Sequence, residues 1–399
     1  MTVTGTGAVP FPFPLVDPGE ELTTDELSRY ARHLTLEQLG PAGQRRLKNA
    51  RVLVVGAGGL GSPVLQYLAA AGVGTLGVVD DDTVEVANLQ RQVIHGVGSV
   101  GDLKVDSAAA AVARINPLVT VERHAVRLDA GNIVDLVAGY DLVLDGADNF
   151  ATRYLVSDAC TLTSTPCVWG SILRFEGRVS VFCSGPSHDG VTYRDLHPDL
   201  PPAGSVPSCA AGGVVGALPG TVGSLMGTEA VKLITGCGEP LYGRLLIHDG
   251  LAMTFRELRI TPDPDAPPVT SVELVTQACH APSQSPSPSH PTVAPGDLEA
   301  RTRAGAVLVD VRDAWEREIL SIPGALPVPL PELEERGADA LPAAARGRDV
   351  IFHCKSGARS ARAVDAVASH FAVREENVAH LDGGVLAWAR QMRPGSAVY

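Results

Sequence analysis

The chain has 399 residues, which at roughly 100–200 residues per domain suggests two or three domains. Hydrophobic residues make up 45% and charged residues 19%, which excludes a mainly disordered chain. Lys plus Arg total 32 against 45 for Asp plus Glu, and a net charge of −13 gives no basis for general affinity for nucleic acid or anionic lipid. The cysteines are Cys160, Cys167, Cys183, Cys209, Cys237, Cys279 and Cys354, an odd set of seven with no C-x-x-C. Neither a disulfide framework nor a cysteine-based zinc site is expected from that spacing, and a reducing, cytoplasmic compartment is.

Residues 1–22 read as a flexible N-terminal arm with no signal-peptide pattern. Thr23 and Glu26 offer a capping box before Leu27, Tyr30, Ala31 and Leu34 at helical spacing, with Arg29 and Arg32 outside the stripe. Short apolar strands and helices then alternate. RVLVVG (51–56), TLGVVD (75–80) and DLVLDGAD (141–148) read as strands. GLGSPVLQYLAAAG (59–72) and DLKVDSAAAAVARI (102–115) read as helices. Continuous apolar strands in β-α-β order predict an α/β, Rossmann-like, mainly parallel sheet. VWGSI, RVSVFC and RLLIHDG predict an antiparallel extension, with RFEGR (174–178) as a turn.

Residues 184–210 read as a long polar loop, a kind that is usually functional or mobile. The uncharged stretch Leu200 to Thr228 carries glycines and four prolines, so a buried glycine-faced helix is expected there and no membrane span. A Pro/Ser-rich linker over 263–294 closes a first domain at 23–262. Residues 295–399 repeat the α/β pattern and form a second, small domain.

GAGGLG (56–61) follows a strand and opens a helix. Gly56 allows a tight turn, Gly58 and Gly59 a close backbone approach, and Gly61 helix packing on the sheet, so loop amides are offered to phosphate. Asp80 ends the next strand, where a carboxylate can meet ribose hydroxyls. The loop alone leaves NAD-dependent oxidoreduction open. Arg91, Lys104 and Asp148 nearby favour nucleotidyl transfer, because cations neutralise charge on phosphate and a carboxylate holds Mg²⁺.

Together RYARHL (29–34), GAGGLG, VVDDDTVEVANLQRQ (78–92), GDLKV (101–105) and DLVLDGADN (141–149) resemble the MoeB/ThiF adenylyltransferases over about 23–260. Members of that family adenylate the C-terminal Gly-Gly of ubiquitin-like sulfur carriers. The resemblance implies ATP on the glycine loop, ribose at Asp80, Asn88 lining the site, phosphate contacts from Arg91 and Lys104, and Mg²⁺ on Asp148. It also implies a homodimer in which Arg32 reaches the partner subunit's ATP. Relatives often hold a structural zinc with two C-x-x-C pairs, the first after Tyr-Arg. Here Tyr193-Arg194 precedes Asp195-Leu196-His197-Pro198, and no cysteine pair follows Ile260, so no zinc is expected.

Cys209 lies in VPSCAAGGV (206–214), just before a predicted helix. A small buried residue at a turn and a nucleophile raised in thiolate fraction by the helix start are both open readings. In some relatives an equivalent cysteine captures the activated carrier, which implies a covalent role. Cys160, Cys167, Cys183 and Cys237 read as core thiols, and Cys279 is unassigned.

DVIFHCKSGARS (349–360) sets Cys354 between an apolar strand and a helix. The amides of Lys355, Ser356, Gly357, Ala358 and Arg359 can curve around the sulfur, and Lys355 and Arg359 add positive charge. The spacing is C-x4-R, one residue tighter than the phosphatase H-C-x5-R, and suits a persulfide sulfur better than a tetrahedral phosphate. With VLVDVRDAWEREILSIPGALPVP (307–329) and LDGGVLAWA (381–389), this region resembles the rhodanese family. The resemblance implies a persulfide on Cys354, with Asp310 and Arg312 as a structural corner.

The tandem resembles the MoeZ-type adenylyltransferase/sulfurtransferases. It implies ATP-dependent adenylation of a Gly-Gly carrier and transfer of sulfur from thiosulfate or a cysteine desulfurase persulfide. The thiocarboxylate would serve molybdopterin or thiamine synthesis. Two other readings stand beside it: a nucleotide-sensing scaffold with an inactive site, and an NAD-dependent oxidoreductase fused to a sulfurtransferase.

Overall fold

Continuous runs of Val, Leu and Ile suit strands covered on both faces, and two such sets build two sheets. The computed structural model describes residues 13–186, 188–199, 213–272, 290–374 and 377–395. The chain divides into two compact units, Met1–Ala281 and Pro282–Tyr399.

In the first unit α1 (Thr24–Arg29), α2 (Ala31–Leu34) and α3 (Gly40–Asn49) lead into β1 (Arg51–Val55). Then follow α4 (Gly61–Ala71), β2 (Thr75–Val79), α5 (Lys104–Ile115), β3 (Thr120–His124), α6 (Ile133–Ala138), β4 (Leu142–Asp145), α7 (Phe150–Thr163) and β5 (Cys167–Leu173). The unit continues with β6 (Glu176–Gly185), β7 (His188–Val191), α8 (Tyr193–Leu196), α9 (Ala217–Thr235), β8 (Arg244–Asp249) and β9 (Thr254–Arg259).

The sheet order is β3-β2-β1-β4-β5-β6-β8-β9, with β7 paired to β6. Neighbours from β3 to β5 are parallel, and β6, β8 and β9 pair antiparallel with their neighbouring strands, as the sequence predicts. Alternate residues of β1 enter different cores: Val52 and Val54 one, Leu53 and Val55 the other. Strand order reverses between β1 and β4, and open α/β sheets hold ligands at the C-terminal ends of such a switch.

The second unit contains β10 (Thr292–Val293), α10 (Leu298–Arg303), β11 (Val307–Asp310), α11 (Ala314–Ile319) and β12 (Leu326–Pro327). It ends with α12 (Leu330–Arg336), β13 (Val350–His353), α13 (Ala358–Arg374), β14 (Val378–Leu381) and α14 (Gly384–Met392). All pairings in its sheet, β10-β14-β13-β11-β12, are parallel. Val309 and Phe352 fill one core, Leu308 and Ile351 the other.

The capping box at Thr23 and Glu26 forms, and of the expected stripe Tyr30 is buried and Leu34 half-buried, but Leu27 is 46% exposed, Ala31 is exposed and Glu26 is buried instead. The cause is polar: Glu26 accepts the Thr23 N–H at 2.7 Å and pairs with Lys48 at 2.9 Å. Where it is described, the expected flexible arm is anchored. Leu15 N–H donates to the Leu233 carbonyl at 3.0 Å, Gly19 N–H to that of Arg45 at 3.2 Å, and Val16 is buried.

The segment expected as one polar loop carries β7 and α8, the latter started by a capping box between Thr192 and Asp195. The linker expectation narrows at both ends. Val272 packs in a core of the first unit, and Thr292–Val293 forms an edge strand too short to register as a period. Cys209 and Cys279 lie outside the described residues. No described helix is long and apolar enough to cross a membrane.

Candidate active sites

After β1 the chain turns at Gly56 with φ +87°, a left-handed conformation that favours glycine. Gly61 is required by contact, since a Cβ there would lie 1.9 Å from the Gly56 carbonyl oxygen. The peptide groups flanking Ala57 are clamped. The Ala57 N–H donates to Asp80 at 2.8 Å, and its carbonyl lies 2.8 Å from His95 Nε2. A carbonyl only accepts, so Nε2 carries the proton and Nδ1 accepts from the Ser107 hydroxyl at 2.9 Å. Burial lowers the His95 pKa, which keeps the ring neutral in that role. The amides of Gly58, Gly59 and Leu60 make no hydrogen bond among the described residues and remain available to a ligand.

Asp80 also accepts the Asp82 N–H at 2.9 Å, and Lys104 lies 2.6 Å from Asp82 and 3.9 Å from Asp80. Burial raises the Asp80 pKa, opposed by the Lys104 charge and the two amide bonds. Arg91 donates to Asn88 Oδ1 and to the Ala87 carbonyl, both at 3.3 Å. Its Cγ would be 3.8 Å from a Cβ on Gly59, so Arg91 lies against the loop.

The turn after β4 closes the other side: Gly146 N–H donates to Val55 at 3.0 Å, and the Gly146 carbonyl would touch a Cβ on Gly56 at 3.4 Å. Two residues on, Asp148 is exposed with no side-chain partner among the described residues. The glycine loop, Asp80, Asn88, Arg91, Lys104 and Asp148 thus come together at one end of the sheet. Arg32 is exposed on α2, and no described side-chain bond ties it to this crevice. As a hard oxygen donor beside a phosphate-type loop, Asp148 fits Mg²⁺.

The region resembling the family's zinc site does not fit that metal. Asp195 Oδ2 accepts the Thr192 N–H and hydroxyl at 2.7 and 3.0 Å, and its Oδ1 accepts the Asp263 N–H at 2.9 Å. One engaged carboxylate therefore joins the α8 turn to the segment after β9, and no thiolate set is present there.

In the second unit Cys354 follows β13 with 1% exposure. Its Sγ accepts from the Gly357 N–H at 3.1 Å, and the Ser360 hydroxyl, whose proton goes to the Gly357 carbonyl at 2.8 Å, lies 3.6 Å from the sulfur. Gly357 has φ +111°. The start of α14 supports the loop from outside: Val385 N–H donates to the Cys354 carbonyl at 2.8 Å and Leu386 N–H to that of Lys355 at 3.2 Å. A Cβ on Gly384 would come within 2.6 Å of both carbonyl oxygens.

Below the loop, Arg312 is fully buried and pairs with Asp310 at 2.6 Å, the structural corner expected from sequence. His353 is buried beside them, and burial lowers its pKa to about 4. Arg359 does not stand as an unmatched cation. Its Nη1 and Nη2 each lie 2.6 Å from a carboxylate oxygen of Glu316.

Cys160, Cys167 and Cys183 are buried and line a cavity of about 10 Å³, room for about one water. Cys237 is half-buried, with its Sγ 3.1 Å from the Thr235 hydroxyl oxygen. Sequence reasoning missed His95, Ser107, Glu316 and the reason for Gly384. The D-x-x-E of 313–316, a capping box in the structure, was an available signal for Glu316, whereas His95 sits in QVIHG without one.

Comparison with known proteins matches each unit to a family. The ThiF family model matches residues 30–268, and the rhodanese-like domain model matches residues 294–391. The chain is 50% identical over 392 residues to the probable adenylyltransferase/sulfurtransferase MoeZ of Mycobacterium tuberculosis, covering 97% of this chain and 98% of that one. It is 52% identical over 247 residues to the sulfur carrier protein adenylyltransferase of Thermus thermophilus, covering 61% of this chain and 91% of that one. A solved structure of E. coli MccB shares the fold, with a TM-score of 0.54 at 21% identity over 63% of this chain and 74% of that one. The chain belongs to the ThiF family and carries a rhodanese-like domain at its C-terminal end.

Proposed function

We propose that the protein adenylates the C-terminal Gly-Gly carboxylate of a ubiquitin-like sulfur carrier and converts it to a thiocarboxylate with sulfur held on Cys354. The observation that carries this reading is the pairing, in one chain, of an unbonded glycine-loop crevice flanked by Arg91 and Lys104 with a thiol cradled by the Gly357 amide. The relatives' names, an adenylyltransferase/sulfurtransferase and a sulfur carrier protein adenylyltransferase, support it.

The amides of Gly58, Gly59 and Leu60 hold ATP phosphates, and Asp80 holds the ribose. Arg91 and Lys104 neutralise charge as the carrier carboxylate attacks the α-phosphorus and the bond to the leaving pyrophosphate breaks. Mg²⁺ on Asp148 supplies further charge neutralisation when bound. The acyl-adenylate turns a poor electrophile into one with AMP as leaving group.

The outer sulfur of the Cys354 persulfide then attacks the acyl carbon and AMP departs. An external dithiol then supplies two electrons to the resulting S–S bond and becomes a disulfide, freeing the thiocarboxylate and the Cys354 thiol. A route through an acyl–sulfur intermediate on Cys209 uses the same electron count. Thiosulfate or a cysteine desulfurase persulfide loads Cys354. The working form is a cytoplasmic homodimer with Arg32 supplied from the partner subunit, and no zinc takes part. Molybdopterin or thiamine synthesis is the proposed destination of the sulfur.

Pyrophosphate exchange into ATP should depend on a Gly-Gly carrier. Exchange that ignores the carrier while the Cys354 loop still accepts sulfur sinks this reading and favours a scaffold with an independent rhodanese.

A further inference from the structure

Two cations in a six-residue loop suit a small dianionic sulfur donor, because each negative charge meets a positive one. The structure alters that count. Glu316 is 3% exposed in its side chain and takes Arg359 in a two-pronged pair, both contacts at 2.6 Å. Such forked pairs fix geometry as well as charge. Glu316 is itself held: its Oε2 accepts the Asp313 N–H at 3.1 Å, closing the capping box of α11. A carboxylate buried this deeply is costly to leave unpaired, so Arg359 is kept where it is. Among the described residues the hydrogen bond to the sulfur comes from a neutral donor, the Gly357 amide, with the uncharged Ser360 hydroxyl 3.6 Å away.

We propose that Glu316 sets the donor preference of Cys354. By matching the Arg359 charge it favours a persulfide borne on a thiol and disfavours a free dianion such as thiosulfate. This rests on the sulfur-acceptor reading of Cys354. Both reactions balance without a further reagent. With a persulfide donor, the Cys354 thiolate attacks the outer sulfur, the donor S–S bond breaks, and the donor leaves as its thiolate. With thiosulfate, the same attack expels sulfite, so charge −3 must gather at the loop and then separate. Thiosulfate loading is therefore the reaction that depends most on an uncompensated Arg359.

Glu316→Gln tests this, because glutamine can still accept the Asp313 N–H while losing its charge. The full-length protein is loaded without ATP or carrier, using either thiosulfate or glutathione persulfide, and the mass gain of one sulfur atom on Cys354 is timed. E316Q should speed thiosulfate loading by about tenfold, the scale expected for removing one charge beside a dianion. Persulfide loading should change by less than about threefold, within ordinary context effects on such a pair. Adding Arg359→Ala to E316Q should abolish the gain.

An unchanged donor ratio, or a gain that survives R359A, overturns the proposal. Should E316Q fail to fold, Arg359→Ala alone reads the same preference with opposite sign: thiosulfate loading must fall far more than persulfide loading, and equal losses overturn it. If neither donor loads the wild type, the sulfur-acceptor reading itself fails.

Discussion

In both units a buried parallel strand ends in a short loop that opens a helix: β1 runs through residues 56–60 into α4, and β13 through residues 354–357 into α13. The glycine loop leaves its central amides without partners among the described residues and is positioned from outside, by Asp80 and His95 on the peptide groups flanking Ala57. In the cysteine loop the Gly357 amide points at the chain's own sulfur, and α14 supports the loop through the Cys354 and Lys355 carbonyls. Under the proposed function, one loop presents backbone to a substrate and the other to a covalent carrier, so that similar local geometry would serve nucleotide binding or thiol chemistry according to what occupies the concavity.

The largest effects should come from glycines that permit each loop. Gly61→Ala would place a Cβ 1.9 Å from a carbonyl oxygen, and Gly384→Ala 2.6 Å from two. Each should cost about 3 kcal/mol or more in its own unit, a scale reserved for severe strain. Chemical denaturation should show the loss, with G61A impairing pyrophosphate exchange and G384A impairing Cys354 loading. Cross-effects of equal size would erase the comparison.

Next comes the outside clamp. His95→Asn should raise the KM for ATP about tenfold, the scale of a lost buried hydrogen bond, with a smaller change in kcat. Asp195→Ala should lower stability by about 1–2 kcal/mol through the loss of its bonds to Thr192 and Asp263. A zinc chelator should leave the wild-type Tm unchanged; a fall in Tm on chelation contradicts the carboxylate staple.

The smallest effect concerns Asp145, fully buried at the end of β4, where burial pushes its pKa up to about 6. An unfolded aspartate titrates at about 4, so between these values the native state holds a proton that the unfolded chain has lost. This contribution to stability is present below pH of about 4 and is lost as pH rises through about 6. Asp145→Asn should therefore flatten the fall in Tm between about pH 4 and 6, the window bounded by the unfolded and native pKa values; an unchanged slope assigns it elsewhere.

Much of this was legible because strand–loop–helix signals are local. GAGGLG, the Asp80 strand end and C-x4-R each occupy a few consecutive residues, and the apolar runs around them determine strand direction. What sequence left hidden depends on distance along the chain. His95 meets Ala57 across 38 residues and Arg359 meets Glu316 across 43, contacts without a period or spacing rule. Polar compensation hid the rest: buried Glu26 made Leu27 a surface residue, and the Thr192–Asp195 cap made structure inside an apparent loop.

The division of labour between the two loops is tested most directly by the mass of a Gly-Gly carrier incubated with ATP and a sulfur donor, comparing wild type with Cys354→Ala. The wild type should replace one carboxylate oxygen with sulfur, while Cys354→Ala should keep carrier-dependent pyrophosphate exchange and leave the carrier without sulfur. Sulfur gained in the absence of Cys354, or exchange lost together with it, contradicts that division.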